Sequence, residues 1–114
     1  MSDCLFCKLV AGEIPCTEVF SNDSYLAFRD IAPQAPTHIL VIPKKHISGL
    51  SELNVSDIEI IGGLMTTAVE IAKEEGLVPN GYRFVINNGQ DGGQTVGHLH
   101  LHILGGRALA WPPG

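Results

Sequence analysis

Three histidines alternating with aliphatic residues, His98-Leu99-His100-Leu101-His102-Ile103-Leu104, concentrate the reactive groups of this chain. In a strand, alternate side chains share a face, so the three imidazoles would line one surface while Leu99, Leu101 and Ile103 anchor the other in the core. Imidazole titrates near neutrality, so such a row suits a nucleophile and a proton carrier. Two other readings compete: a three-histidine metal site, and a solvent-facing strand that happens to carry histidine. Just upstream, residues 88–97 (Asn-Gly-Gln-Asp-Gly-Gly-Gln-Thr-Val-Gly) form a loop with four glycines. Backbone amides without a Cβ in the way can approach a phosphate. The loop lacks the lysine of a P-loop and leads into an alternating strand pattern rather than a helix, which excludes a Walker site. A third group is Cys4-Leu5-Phe6-Cys7, whose thiols can chelate one zinc if two further ligands are found. His46 and one histidine of the row are the candidates, with a plain half-buried cysteine pair as the alternative. Cys16 reads as a lone structural thiol.

These groups need a scaffold. Asp3 can cap a short helix over residues 4–10, with Gly12 just past its end and Pro15 blocking continuation. Residues 17–20 and 24–30 read as strands joined by a turn at Ser21-Asn22-Asp23. The apolar run 37–42, ended by Pro43, reads as a central strand carrying His38. A capping box at Ser56-Asp57-Ile58-Glu59 should start the long helix, and Lys73 and Gly76 should end it. Gly62 and Gly63 inside that helix predict close approach of another surface, either the sheet or a second subunit. Residues 82–87 alternate as a fourth strand, and 98–104 supply the fifth. Five strands with one long and one short helix predict an α+β fold.

Composition narrows the setting. A chain of 114 residues predicts one domain over residues 1–114. Hydrophobic residues make up 45% and charged residues 17%, enough apolar material for a core and too little charge for disorder. With 7 basic and 12 acidic residues the net charge is −5, which argues against a nucleic-acid polymer or an anionic membrane as partner. No apolar run is long enough to span a bilayer, and the first residues lack the pattern of a signal peptide. Three cysteines, an odd number, suit thiol or metal chemistry in a reducing compartment, so a cytoplasmic location is expected.

The histidine row, preceded by Asn87 and the Gly92-Gly93-Gln94-Thr95 loop, resembles the signature of the histidine triad (HIT) superfamily. Residues 28–38 (Phe-Arg-Asp-Ile-Ala-Pro-Gln-Ala-Pro-Thr-His), 41–47 (Val-Ile-Pro-Lys-Lys-His-Ile) and the ending from Gly105-Gly106-Arg107 to Trp111-Pro112-Pro113-Gly114 are similar to its Hint branch of nucleoside phosphoramidases. The resemblance runs from about Phe6 to the last residue. It implies a homodimer in which each subunit's five antiparallel strands continue one sheet. It further implies cleavage of the P–N bond of purine nucleoside 5′-phosphoramidates through a nucleotidyl-histidine, releasing AMP or GMP and an amine. By position, His100 is then the nucleophile. His102, Thr95 and the Gly93 backbone bind phosphate oxygens, Asn87 stands beside the phosphate, His38 is a proton relay, and Asp30 accepts from the ribose hydroxyls. Phe6, Leu9, Ile14, Phe28, Ile31 and Leu40 fall at purine-pocket positions. Thr95 departs from the serine often found there but keeps the hydroxyl. Cys4 and Cys7 resemble the zinc-binding bacterial subset, with His46 and His98 completing a structural site and no catalytic cofactor. Dinucleoside polyphosphate hydrolysis and nucleotide binding without turnover are the alternatives.

Overall fold

The computed structural model describes residues 3–114. Among these, the regular elements are α1 (Leu5–Val10), β1 (Glu18–Ser21), β2 (Tyr25–Arg29), β3 (Thr37–Pro43), α2 (Ile58–Glu74), β4 (Tyr82–Val85) and β5 (Leu101–Gly105). Short 3-10 turns at Leu50–Glu52 and Val55–Asp57 precede α2. The strands form one five-stranded sheet in the order β1-β2-β3-β5-β4, with every neighbouring pair antiparallel. The α+β fold is the expected one.

Strand β3 lies in the middle and is covered on both faces, which is why it reads as a continuous apolar run rather than an alternating one. On one face α2 buries Leu64, Ala68, Ile71 and Ala72 against Tyr25, Ala27, Ile39, Val41, Leu101 and Ile103. On the other, α1 lays Phe6 against Leu26, Phe28, Leu40 and Ile42. The pairing of Leu40 with His102 and of His38 with Leu104 puts both histidines on the α1 face, diagonal to each other. The aliphatic residues between the histidines of the row behave as expected, since Leu99, Leu101 and Ile103 all join the α2-side core.

Several local expectations need correction. The last strand starts at Leu101 rather than His98. Its partner β3 ends at Pro43, which has no N–H to offer the ladder, and the amide of Leu99 instead donates to the Ile47 carbonyl at 2.6 Å. The cap of α1 is Cys4, whose Sγ accepts from the Cys7 amide at 3.3 Å, rather than Asp3. The capping box before α2 uses Asn54 and Asp57, not Ser56 and Glu59. Asn54 Oδ1 accepts from the Ser56 amide at 3.0 Å and Asp57 Oδ2 from the Asn54 amide at 3.1 Å. Asp57 is committed there because Lys45 Nζ also lies 3.3 Å from its other oxygen. Of the two helical glycines only Gly63 meets the sheet: a Cβ there would lie 2.1 Å from Tyr25 Oη, whereas one on Gly62 would meet nothing within 4 Å. The Asn22 turn and the glycine C′ positions, Gly12 at φ 77° and Gly76 at φ 75°, are as expected.

Candidate active site and metal centre

The row of histidines divides between two sites. His98, fully buried, turns its Nδ1 toward the N-terminal cysteines, 3.3 Å from Cys4 Sγ, 3.6 Å from Cys7 Sγ and 3.2 Å from His46 Nδ1. Cys7 Sγ lies 3.2 Å from His46 Nδ1. All four donor atoms fall within 4.8 Å of one another. A tetrahedral zinc with ordinary Zn–S and Zn–N bonds separates its ligand atoms by roughly 3.3–3.8 Å, so the residues present fit that ion. His98 Nε2 lies 2.8 Å from the Pro43 carbonyl and must donate to it, which leaves Nδ1 bare for a metal. Burial lowers the His98 pKa against the pull of that hydrogen bond, with His46 and His100 adding to the lowering, so the neutral ring a metal requires is favoured.

His100 faces the other way. Its Nδ1 donates to the His98 main-chain carbonyl at 2.7 Å, so the neutral ring carries its lone pair on Nε2. The Phe6 ring stands edge-on at 5.2 Å and buries it. His102 Nδ1 lies 2.9 Å from His38 Nε2, which is also 3.4 Å from Asp30 Oδ2. His38 Nδ1 accepts from the Gln34 amide at 3.0 Å, so the proton of its neutral ring sits on Nε2 and points to His102 and Asp30. His102 then carries its own proton on Nε2, a buried atom with no hydrogen-bond partner. Burial holds His38 below its ordinary value, against Asp30. His102 is pushed down to about 4 by burial first and then by His100 and His38, with Asp30 opposing.

Asp30, His38 and His102 also bring three donor atoms together, but the nitrogen of His38 that would have to ligate is the protonated one. The cluster is a hydrogen-bond chain. Nor does the row hold a metal with all three of its imidazoles, because His98 turns to the cysteines and His100 Nδ1 is held on a carbonyl.

These groups open on a cavity of about 350 Å³. Phe6, Leu9, Ile14, Phe28, Ile31 and Leu40 all line it, and Asp30, Thr95, His100 and His102 supply its polar wall. His38 lies behind that wall. Asn87 and Gly93 are not part of the lining, and the Gly93 amide, expected to face a phosphate, donates to the Gln90 carbonyl at 3.0 Å. Cys16, expected as a lone structural thiol, is exposed and lines the same cavity. Gln94 was not singled out in the sequence. Its side chain pins the glycine-rich loop to the Ser48 carbonyl at 2.7 Å, to that of Val96 at 3.0 Å and to the Gly89 amide at 2.9 Å. Gln34 was missed for a plainer reason, since it acts through a main-chain amide that any residue but proline would supply.

Comparison with known proteins agrees with this architecture. The family model described as HIT domain matches residues 11–109. A HIT family hydrolase from Legionella pneumophila has a crystal structure that superposes with a TM-score of 0.97 at 54% identity, covering 98% of this chain and 100% of that one. A 14 kDa zinc-binding protein of Zea mays is 51% identical over 99% of this chain and 89% of its own length. The adenylylsulfatase HINT1 of Arabidopsis thaliana is 50% identical over 99% of this chain and 78% of its own. With the fold, the histidine row and the extent of these matches in agreement, the chain belongs to the HIT domain family.

Proposed function

We propose that this chain is a HIT-type nucleotide hydrolase that cleaves purine nucleoside 5′-phosphoramidates through a nucleotidyl-histidine on His100. One observation carries the reading. An imidazole anchored through Nδ1 stands beside a second imidazole with a buried, unpartnered Nε2–H, both on the wall of one largely apolar cavity. The first is a nucleophile held in the correct tautomer and orientation. The second is a preorganised donor for a phosphate oxygen on which charge develops.

In the proposed reaction the lone pair of His100 Nε2 forms a bond to the α-phosphorus, and the P–N bond breaks with its electron pair going to the nitrogen, which takes up a proton from solvent and leaves as the amine. Water then attacks the phosphorus, gives up a proton to solvent, frees His100 and releases the nucleoside monophosphate. His102 Nε2–H and the Thr95 hydroxyl hold non-bridging oxygens, with Asn87 and Gly93 contributing only if the loop rearranges around the nucleotide. Asp30 takes the ribose hydroxyls, and Phe6, Leu9, Ile14, Phe28, Ile31 and Leu40 surround the base. Zinc on Cys4, Cys7, His46 and His98 would tie the N-terminal segment to the sheet as a structural ion.

The proposal extends to assembly and setting: a single HIT domain in the cytoplasm, paired as a homodimer whose sheet continues across the outer edge of β4. Support for the dimer comes from that unpaired edge with its exposed Tyr82, and from Ile58 and Met65, exposed apolar residues on α2. No helix among the described residues is long and apolar enough to cross a membrane.

Mass spectrometry of a quenched reaction tests the chemistry, with one nucleotide expected on the His100 peptide. His100→Ala should abolish turnover and keep nucleotide binding; an active His100→Ala enzyme overturns the assignment. The similarity to an adenylylsulfatase supports a second substrate, adenosine 5′-phosphosulfate, with sulfate leaving in place of the amine. Parallel assays with that compound, a phosphoramidate and a dinucleoside polyphosphate rank the substrates, and nucleotide binding with no turnover of any of them would leave a binding module.

A further inference from the structure

The His38–His102 pair could run in either direction. Two neutral imidazoles joined by one hydrogen bond have two tautomer arrangements, and only one leaves a proton on His102 Nε2. In the reverse arrangement His38 carries its proton on Nδ1, His102 donates from Nδ1, and a bare lone pair faces the cavity, where it would repel a phosphate oxygen. The choice falls to whatever occupies His38 Nδ1. That partner is the Gln34 main-chain N–H at 3.0 Å, which can only donate.

Gln34 is held for this task from outside the cavity. Arg107 Nη2 donates to the Gln34 carbonyl at 2.8 Å, while its Nη1 donates to the Ala108 carbonyl at 2.9 Å and so braces the guanidinium. The turn that carries Arg107 sits tightly on the same loop. Gly106 has φ 92°, and a Cβ there would come within 2.8 Å of Pro36 Cβ. From the inner side, Asp30 Oδ1 accepts from the Ala32 amide at 2.8 Å and Gln34 Nε2 donates to the Ala32 carbonyl at 2.9 Å. Donation therefore runs in one direction from the Gln34 amide through His38 to His102, while Arg107 holds the carbonyl of the adjoining peptide unit and so fixes the position of Gln34.

We propose that the Gln34 amide, held in place by Arg107, fixes the direction of the hydrogen-bond chain that ends at His102, which makes Arg107 a positioning residue for the phosphate although it never touches it. The benefit to a phosphate rests on the nucleotide-hydrolase reading; the tautomer assignment does not.

The test is long-range ¹⁵N–¹H correlation on the ¹⁵N-labelled full chain, which reads imidazole tautomers directly, combined with AMP titration and kinetics. The wild type should show His38 and His102 both protonated on Nε2. Gln34→Pro removes the amide proton together with the side-chain bond to the Ala32 carbonyl and should move His38 toward the Nδ1–H tautomer, whereas Gln34→Ala, which loses the side chain alone, should keep the wild-type tautomer. Arg107→Met, at an exposed residue, should populate both tautomers and lower AMP affinity and kcat/KM by roughly tenfold, the scale of a weakened oxyanion donor. Arg107→Lys should restore the wild-type tautomers in part. Tautomers unchanged in both Gln34→Pro and Arg107→Met overturn the proposal. Should Gln34→Pro fail to fold, Arg107→Met decides alone. Tautomers that shift as stated in a chain that turns over no nucleotide would instead count against the hydrolase reading and leave this one standing.

Discussion

Acid should destabilise this protein through His102 in a way that one substitution can isolate. The ring is half-buried, its Nδ1 already accepts from His38, and its pKa is pushed down to about 4 by burial and by His100 and His38. An unfolded histidine titrates near 6.5. Between about pH 6.5 and about pH 4 the unfolded chain therefore binds a proton that the native chain refuses, and stability falls with pH. The contribution is intact above about pH 6.5, costs about 2 kcal/mol at pH 5 and approaches about 3 kcal/mol near pH 4. His38 and His98, also lowered by burial, act in the same direction, so the total slope belongs to several groups. His102→Gln separates them, because the amide can accept from His38 and donate toward the cavity without titrating. Urea unfolding of both proteins at pH 7.5 and pH 5, with zinc present throughout, should show the wild type losing about 2 kcal/mol more than the variant. Equal losses would refute the claim that His102 is held neutral by the fold.

Other consequences are quicker to check. Gly63→Ala drives a methyl into the Tyr25 hydroxyl, which donates to the Ile60 carbonyl at 2.8 Å, and should cost about 1–3 kcal/mol in urea unfolding. Gly62→Ala, one residue away with open space, should raise the stability of the chain by about 0.5–1 kcal/mol, with the concentration dependence of Tm separating any effect on pairing. Chelation or Cys7→Ser should raise KM more than it lowers kcat, since α1 carries Phe6 and Leu9 onto the cavity wall while His100 keeps its carbonyl; steady-state kinetics with and without zinc decide. Asp30→Asn should weaken nucleotide binding and favour discrimination between ribose and deoxyribose less than the wild type, measured by paired titrations.

Most of the scaffold was legible from local pattern. The alternation of His98 to Leu104 placed Leu99, Leu101 and Ile103 in the core, and the apolar run of β3 announced a strand buried on both faces. What local pattern missed was tertiary. Pro43 cuts the ladder opposite Leu99, and only the pairing of β3 with β5 reveals that. Asn54 rather than Ser56 forms the capping box with Asp57, which also meets Lys45 from the segment after β3, a contact that only the fold brings about. Six apolar residues from five segments surround one cavity, which came from the family resemblance and not from any periodicity. The roles of Gln34 and Gln94 depend on hydrogen bonds across the loops, for which a single sequence carries no signal.

His98 ends up holding both sites at once. Its side chain faces the cysteines and the Pro43 carbonyl, while its own carbonyl fixes the ring of His100. The two jobs reside on different atoms of one residue, but the ring's bond to the Pro43 carbonyl also sets where the residue's own carbonyl stands. A His98→Cys replacement could still offer a metal ligand, yet it would surrender the Pro43 anchor and free the peptide unit that aims the reactive nitrogen. Redesigning the metal centre at His98, unlike at the cysteines, therefore also retunes the nucleophile, even with every cavity residue unchanged.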